Sequence, residues 1–217
     1  MRILITAGPT KEFIDPVRFI SNSSTGFFGY EIARAARKKG HKVTLVSGPT
    51  HLIPPKDVKF ISVMTALEMK SAVERIFPST DCLVMTAAVA DYRPERFFPD
   101  KIKKEGKDIF IKFKKNPDIL FEAGRKKKGR ILAGFAVETK DSIKNAKEKI
   151  ERKNLDFIVT AALSERRSPF GDQKANFIVI DKNGAIERIF GRKAALSSII
   201  VDKIEKIWYD YKRGKKA

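Results

Sequence analysis

Ile20-Ser21-Asn22-Ser23-Ser24-Thr25-Gly26-Phe27-Phe28-Gly29 follows an apolar strand pattern and the turn Thr6-Ala7-Gly8-Pro9-Thr10, and it runs straight into a helical pattern. Hydroxyl side chains, an amide and two glycines at a strand-to-helix passage suit an anion. Backbone N–H groups and the positive end of the helix point at whatever binds there. A loop that only caps the helix is the plainer alternative. The spacing is not G-x-G-x-x-G, so a dinucleotide fingerprint does not follow. Asn22 stands out because its amide donates and accepts at once. It suits holding a carbonyl and orienting a reacting group.

Outward from this stretch, residues 1 to 7 read as a short buried parallel strand that ends at Gly8-Pro9. Residues 10 to 20 form an ordered insertion with Phe13, Ile14, Val17, Phe19 and Ile20 apolar. The helix over 27–39 carries small Ala33, Ala35 and Ala36 and stops at Lys38-Lys39-Gly40, as a helix C-terminus prefers. Strands are expected over 42–46, ending at Ser47-Gly48-Pro49, and over 58–63. Thr65-Ala66-Leu67-Glu68 is a capping box for a second helix, which Pro78 closes. Residues 81 to 90 read as a nearly unbroken apolar strand. This β-α-β-β-α-β rhythm predicts an α/β fold with a Rossmann-like, doubly wound, mostly parallel sheet. Ligands in such sheets bind beyond the carboxyl ends of the strands. Three such ends are informative here: Gly8-Pro9-Thr10, Ser47-Gly48-Pro49 and Thr86-Ala87-Ala88-Val89-Ala90-Asp91. Asp91 suits Mg²⁺ carried on a nucleotide, a ligand hydroxyl, or simply a turn. Small Thr86, Ala87 and Ala88 let a planar ligand approach the backbone.

Residues 92 to 106 break the pattern with Pro94, Pro99 and the cations Lys101, Lys103 and Lys104. A charged excursion from a strand end is a candidate lid, and a solvated charge run is the alternative. On a lid these lysines would neutralise charge developing in nucleotidyl transfer. Residues 108 to 114 alternate, with Ile109, Ile111 and Phe113 on one face, and predict a strand with one wet side. Asn116-Pro117-Asp118 offers an N-cap, N1 and first-turn residue to a helix that ends in Arg125-Lys126-Lys127-Lys128-Gly129. A strand over 131–137, a helix over 142–153 stopped by Asn154, and a strand over 155–162 follow. A hairpin over 176–181 and 185–190 turns at Asn183-Gly184. An amphipathic helix over 193–211 closes the fold, with a frayed tail over 214–217. The expected organisation is one domain, 1–217, with the flap at about 92–107. Lys149 and Lys153 share a helix face. A shared anion would offset their repulsion, and plain surface lysines are the alternative. Phe135, between Gly134 and Ala136 at a strand end, could stack on a base or pack in the core.

The chain carries 45 Lys and Arg against 26 Asp and Glu, a net charge of +19. That suggests polyanionic partners such as nucleic acid, nucleotides or phosphorylated metabolites, or a lysine-rich solvated surface. With one Cys and two His, a Cys/His zinc site is excluded and Ser-His-Asp or Cys-His triads are disfavoured. Cys82 sits in an apolar strand pattern as core filler, and no internal disulfide can form, which fits a reducing cytoplasm. No apolar run reaches membrane-spanning length. Met1 leads directly into strand residues, so no signal peptide is expected. Chemistry is left to lysines, carboxylates, amides, backbone dipoles and a recruited metal.

At these residues the chain closely resembles phosphopantothenoylcysteine synthetase, the phosphopantothenate–cysteine ligase of coenzyme A synthesis. The resemblance runs through Ile3-Leu4-Ile5-Thr6-Ala7-Gly8-Pro9-Thr10, then Ile14-Asp15-Pro16-Val17-Arg18-Phe19-Ile20-Ser21-Asn22-Ser23-Ser24-Thr25-Gly26. It continues in Ala87-Ala88-Val89-Ala90-Asp91-Tyr92-Arg93, Lys101-Ile102-Lys103-Lys104, Lys115-Asn116-Pro117-Asp118-Ile119, Gly134-Phe135-Ala136, the helix through Lys149 and Lys153, and Asn176. It covers essentially the whole chain in order. Thr25 stands where serine is commoner, and the hydroxyl survives.

The resemblance implies that a carboxylate of 4′-phosphopantothenate attacks the α-phosphate of a nucleoside triphosphate with Mg²⁺ and releases pyrophosphate. The amine of cysteine then attacks the acyl-nucleotide, giving the amide and the nucleoside monophosphate. The motifs look like the bacterial, CTP-using branch. Carried over, Asn22 holds the acyl-cytidylate for attack by cysteine, and Lys101 sits on the flap over the reacting phosphates. Met85, Thr86, Ala87, Asp91, Lys101, Pro117, Asp118, Ile119, Leu120, Phe135, Lys149 and Lys153 form the nucleotide site. Gly8, Ser21, Asn22, Ser23, Ser24, Thr25, Gly26 and Ala88 form the substrate site, and Asp91 meets the metal through the nucleotide. A homodimer with residues 15–20 near the partner is implied, and a separate flavin-dependent decarboxylase chain is left open as a partner. No membrane and no specific nucleic acid is expected. Two other classes compete. A nicotinamide-dependent oxidoreductase wants an acid ending the second parallel strand, where Ser47-Gly48-Pro49 stands instead. A basic nucleic-acid-binding module rests on the net charge alone.

Overall fold

A computed structural model describes residues 1–104, 106, 108–138, 140–162 and 171–214. In chain order the elements are β1 (Arg2–Ala7), β2 (Lys11–Phe13), β3 (Phe19–Ser21), α1 (Phe27–Lys38), β4 (Lys42–Ser47), β5 (Lys59–Ser62), α2 (Ala66–Ile76), β6 (Cys82–Met85), β7 (Tyr92–Pro94), β8 (Phe113–Lys115), α3 (Ile119–Arg125), β9 (Ile131–Glu138), α4 (Ser142–Arg152), β10 (Phe157–Ala162), β11 (Ala175–Asp181), β12 (Ile186–Gly191) and α5 (Lys193–Arg213).

The main sheet has eight strands in the order β12-β11-β10-β9-β6-β1-β4-β5. All neighbours from β10 to β5 pair in parallel, while β11 and β12 pair antiparallel at one edge. The expected doubly wound, mostly parallel sheet is therefore observed. Strand β1 leads through α1 to β4 on one side, and β6 pairs on its other side. The order reverses between β1 and β6, which opens a crevice at their carboxyl ends.

Alternate side chains of each strand face opposite layers. Ile3, Ile5, Val84, Ala133 and Phe157 pack toward α1 and α5, with Ile32, Ala33, Ala36, Leu196, Ile200 and Ile204. Leu4, Leu83, Leu132 and Ile158 pack toward α2, α3 and α4, with Met69, Val73, Ile119, Leu120, Ala146 and Ile150. Burial on both faces explains why these strands read as unbroken apolar runs. The cap of α2 is more elaborate than its motif. Thr65 Oγ1 accepts from the Glu68 N–H at 3.2 Å, but Glu68 Oε2 reaches back to the Met64 N–H at 2.8 Å rather than to that of Thr65. Buried Glu12, from β2, takes the Ala66 N–H at 2.9 Å.

Three local expectations are corrected. Strand β6 ends at Met85 rather than continuing to residue 90. Beyond it the chain crosses the end of β1, where the Ala88 N–H donates to Gly8 O at 2.9 Å and the Thr10 N–H to Ala88 O at 3.3 Å. The small apolar residues are shielded as a crossing loop, not as a strand. Residues 108–114 give no half-buried strand: only Phe113–Lys115 pairs, with Tyr92–Pro94. No layer covers this arm, so Ile109, Phe110 and Phe113 are exposed, Phe110 at 92%. Asn116 is not the cap of α3; Asp118 is, accepting from the Phe121 N–H at 3.1 Å. Asn116 instead donates to Ala90 O and accepts from Arg93 Nη1, both at 2.8 Å. The frayed tail expected over 214–217 lies, beyond Gly214, outside the described residues. No helix among the described residues is long and apolar enough to cross a membrane.

Asp156 locks the amino end of β10. It is 1% exposed and accepts from the Leu132 N–H and from Lys127 Nζ, each at 2.8 Å, and from the Tyr211 hydroxyl. Replacing it by alanine strands the buried Lys127 ammonium. Asp156→Ala is expected to lower stability by about 3–5 kcal/mol, read as a fall in the urea unfolding midpoint.

Candidate active site

The carboxyl ends of β1, β6 and β9 open into a cavity of about 630 Å³. One wall is residues 22–29, entering α1. The floor is residues 85–91, and the opposite wall is residues 116–120 with Lys149 of α4 and its C-cap Lys153. Phe135 of β9, Phe177 of β11 and Lys193 of α5 close the inner end.

The first wall is shaped by backbone. Gly26, the N-cap of α1, has φ 76°, the left-handed region that glycine takes without strain. Gly29 presses α1 onto the strand ends: a Cβ there would stand 2.5 Å from Ala7 Cβ and from Thr86 Oγ1. No side chain caps α1. The Ser24 and Thr25 hydroxyls take the N–H groups of Gly26 and Phe27 at 3.3 and 3.4 Å. The following first-turn amides, at Phe28 and Gly29, stay available to an anion. Asn22 Nδ2 donates to Ala88 O at 3.0 Å. Its Oδ1 takes no donor among the described residues.

The opposite wall is ionic. Lys153 Nζ lies 2.8 Å from Asp118, the cap of α3, and Lys149 pairs with Glu138 at the end of β9. Both cations thus line the cavity with a carboxylate already beside them. Phe135 meets Phe28 edge-on at a centroid distance of 5.0 Å, and Phe28 meets Phe177 at 5.5 Å. Phe135 is therefore both packed and cavity-facing.

Seventeen sequence-named residues line this cavity: Asn22, Ser23, Ser24, Thr25, Gly26, Met85, Thr86, Ala87, Ala88, Asp91, Pro117, Asp118, Ile119, Leu120, Phe135, Lys149 and Lys153. Gly8, Ser21 and Lys101 do not. Gly8 lies behind the wall, its Cα 3.1 Å from where a Gly26 Cβ would be. Ser21 Oγ braces Thr10 O at 2.8 Å. Lys101 is exposed on the excursion after β7. Sequence reasoning missed Asn116, Phe28, Phe177 and Lys193. Lys193 is 4% exposed, and burial pushes its ammonium down to about 8, with Asp172 partly opposing. It donates to Gly171 O. One signal was available: a cation as the first residue of a helix is placed against the dipole.

The donor set limits the chemistry. Among the described residues no three His, Cys, Asp or Glu side chains cluster as a metal site. Asp91 is one exposed carboxylate at the cavity. Mg²⁺ is commonly held by one or two carboxylates together with substrate phosphates, so these residues fit a nucleotide-borne ion and not a resident one. Cys82 is fully buried, and burial pushes its thiol well up, so it supplies no nucleophile. Neither His41 nor His51 lines the cavity. The arrangement acts by positioning and charge neutralisation.

Adding one methyl group at Gly29 drives α1 off the strand ends. Gly29→Ala is expected to cost about 1–3 kcal/mol, seen as a lowered Tm, and to weaken anion binding at the α1 amides, seen by calorimetric titration with inorganic pyrophosphate.

Comparison with known proteins agrees with this architecture. The family model described as DNA/pantothenate metabolism flavoprotein C-terminal domain matches residues 1–207. The coenzyme A biosynthesis bifunctional protein CoaBC of Bacillus subtilis is 43% identical over 183 residues, 84% of this chain and 45% of that protein. That of Escherichia coli K12 is 41% identical over 208 residues, 94% of this chain and 51% of that protein. The chain spans about half the length of these relatives. A solved structure of the C-terminal domain of a CoaBC protein superposes with a TM-score of 0.83 at 36% identity, covering 96% of each chain. Matched over residues 1–207 and sharing its fold with a solved domain of a relative, the chain belongs to the DNA/pantothenate metabolism flavoprotein C-terminal domain family.

Proposed function

We propose that this protein joins 4′-phosphopantothenate to L-cysteine through an acyl-cytidylate, converting CTP to CMP and pyrophosphate in coenzyme A biosynthesis. One observation carries the reading. In a family whose relatives include coenzyme A biosynthesis bifunctional proteins, a single cavity gathers an amide at Asn22, an uncapped helix start at α1, a carboxylate at Asp91 and the lysines Lys149 on α4 and Lys153 at its C-cap.

In this reading the nucleotide lies against residues 85–87, Asp91, residues 117–120, Phe135, Lys149 and Lys153. The phosphopantothenate lies against residues 21–26 and Ala88, with Gly8 behind them. Its carboxylate attacks the α-phosphorus, the bond to the leaving pyrophosphate breaks, and an acyl-cytidylate forms. Asp91 would meet Mg²⁺ carried on the triphosphate, an ion that would supply charge neutralisation on the phosphates. Asn22 holds the intermediate while the amine of cysteine displaces CMP. Lys101, on the flap over the reacting phosphates, stabilises charge on the leaving group. No covalent enzyme intermediate is required, in keeping with the absence of a usable thiol or imidazole among the cavity residues. The protein works as a homodimer in the cytoplasm, with the β2–β3 hairpin toward the second copy.

Pyrophosphate release with phosphopantothenate and each nucleoside triphosphate, with and without cysteine, tests this directly. CTP alone is expected to support release; no release with any triphosphate ends the reading. Asn22→Ala is expected to keep pyrophosphate release measurable while amide formation falls about 100-fold or more. Equal loss in both half-reactions removes the assigned role. Lys101→Ala is expected to slow pyrophosphate release by roughly 100-fold with CTP affinity nearly unchanged.

A further inference from the structure

The turn between β2 and β3 holds a carboxylate that the reaction does not touch. Asp15 is 0% exposed. Its Oδ1 accepts from the N–H groups of Val17 and Arg18 at 2.9 and 2.8 Å. Its Oδ2 accepts from Arg18 Nε at 2.9 Å and lies 2.6 Å from Arg18 Nη2. The remaining donor comes from far along the chain: the Ile102 N–H reaches the same Oδ2 at 3.2 Å. Arg18 Nη2 closes the ring by donating to Ile102 O at 2.7 Å. Four residues earlier on the excursion, the Phe98 N–H donates to Ile14 O at 2.9 Å. Residues 98 and 102 are thus both fastened to the turn, and Lys101 lies between them. Burial alone would raise the Asp15 pKa. The three N–H groups and the guanidinium outweigh it and hold the carboxyl well below the usual carboxylate range.

The same hairpin has a second output. Strand β3 ends at Ser21, and the next residue is Asn22. Lys11–Phe13 pairs with Phe19–Ser21, so the turn that grips Ile102 is rigidly continuous with the chain that delivers Asn22. We infer that Asp15 is a positioning residue that holds the root of the flap, and with it Lys101, in one body with the β2–β3 hairpin that presents Asn22. The two proposed catalytic residues then keep a fixed relation. This rests on the flap role proposed above for Lys101.

The prediction is one of coupling. A small displacement of a positioned group costs on the order of 100-fold in rate without weakening binding. Asp15→Asn keeps the side-chain shape and removes its charge, and is expected to slow CTP-dependent pyrophosphate release about 10-fold or more, with the KM for CTP within about 2-fold. In the double variant with Lys101→Ala, the loss is expected to match that of Lys101→Ala alone, because the latch acts through Lys101. Trypsin cleavage after Lys101, Lys103 and Lys104 is expected to accelerate at least about 10-fold in Asp15→Asn under conditions where Tm shows the fold intact. Where Asp15→Asn does not fold, Ile102→Pro removes the flap N–H without touching the turn, and the same losses are expected. Wild-type turnover in Asp15→Asn, or losses that multiply in the double variant, overturns the positioning role while leaving the ligase reading standing. Wild-type turnover in Lys101→Ala overturns the flap reading itself, and the positioning role falls with it.

Discussion

The backbone of one residue, Ala88, ties the site together. The Ala88 N–H donates to Gly8 O, and its carbonyl accepts both from the Thr10 N–H and from the Asn22 side chain. Thr10 Oγ1, fully buried, then takes the Ala90 N–H at 3.0 Å. The loops leaving β1 and β6 are thereby sewn to each other, and Asn22 is sewn to the second of them. Buried backbone groups must be paired. Here the pairing happens across the switch point of the sheet, so the loops that shape the cavity are as determined as the strands beneath them. Gly29 completes the arrangement by letting α1 descend onto Ala7 and Thr86.

The fold was legible because its signals are local. Strands buried on both faces read as apolar runs closed by Gly-Pro steps, α2 announced itself through Thr65 and Glu68, and Asn183-Gly184 marked the hairpin turn. What failed to read depends on distant partners. Small apolar residues look alike in a buried strand and in a loop buried beneath a crossing, so the end of β6 was invisible. Asn116 has the composition of a cap, yet Ala90 O and Arg93 claim its amide. Alternation at 109–113 promises a buried face only where a layer exists to cover it. The same distinction divides the cavity. Its hydroxyl-rich wall is contiguous in sequence and was found from sequence. Phe177 and Lys193 arrive from β11 and α5, and only the placement of Lys193 at a helix start could have marked either of them.

The large positive charge has a more specific structure than its sum. Lys39 pairs with Asp202 and Glu205, Lys70 with Glu74 and Glu122, and Lys203 with Asp181. Exposed pairs of this kind contribute little each. The carboxylates they occupy do not line the cavity. The cations of the arm, Lys101, Lys103 and Lys104, are exposed.

Lys149 and Lys153 differ from these, because each reaches the cavity with a carboxylate already at its side. An incoming anion does not find a bare cation; it trades places with Glu138 or Asp118. A singly charged visitor swaps one partner for an equivalent one and gains nothing. A chain of phosphates engages both ammonium groups together and recovers more than the exchange forfeits. Under the proposed function, the two built-in carboxylates would act as a threshold, screening inorganic monoanions by competition and admitting ligands according to how many charges they bring.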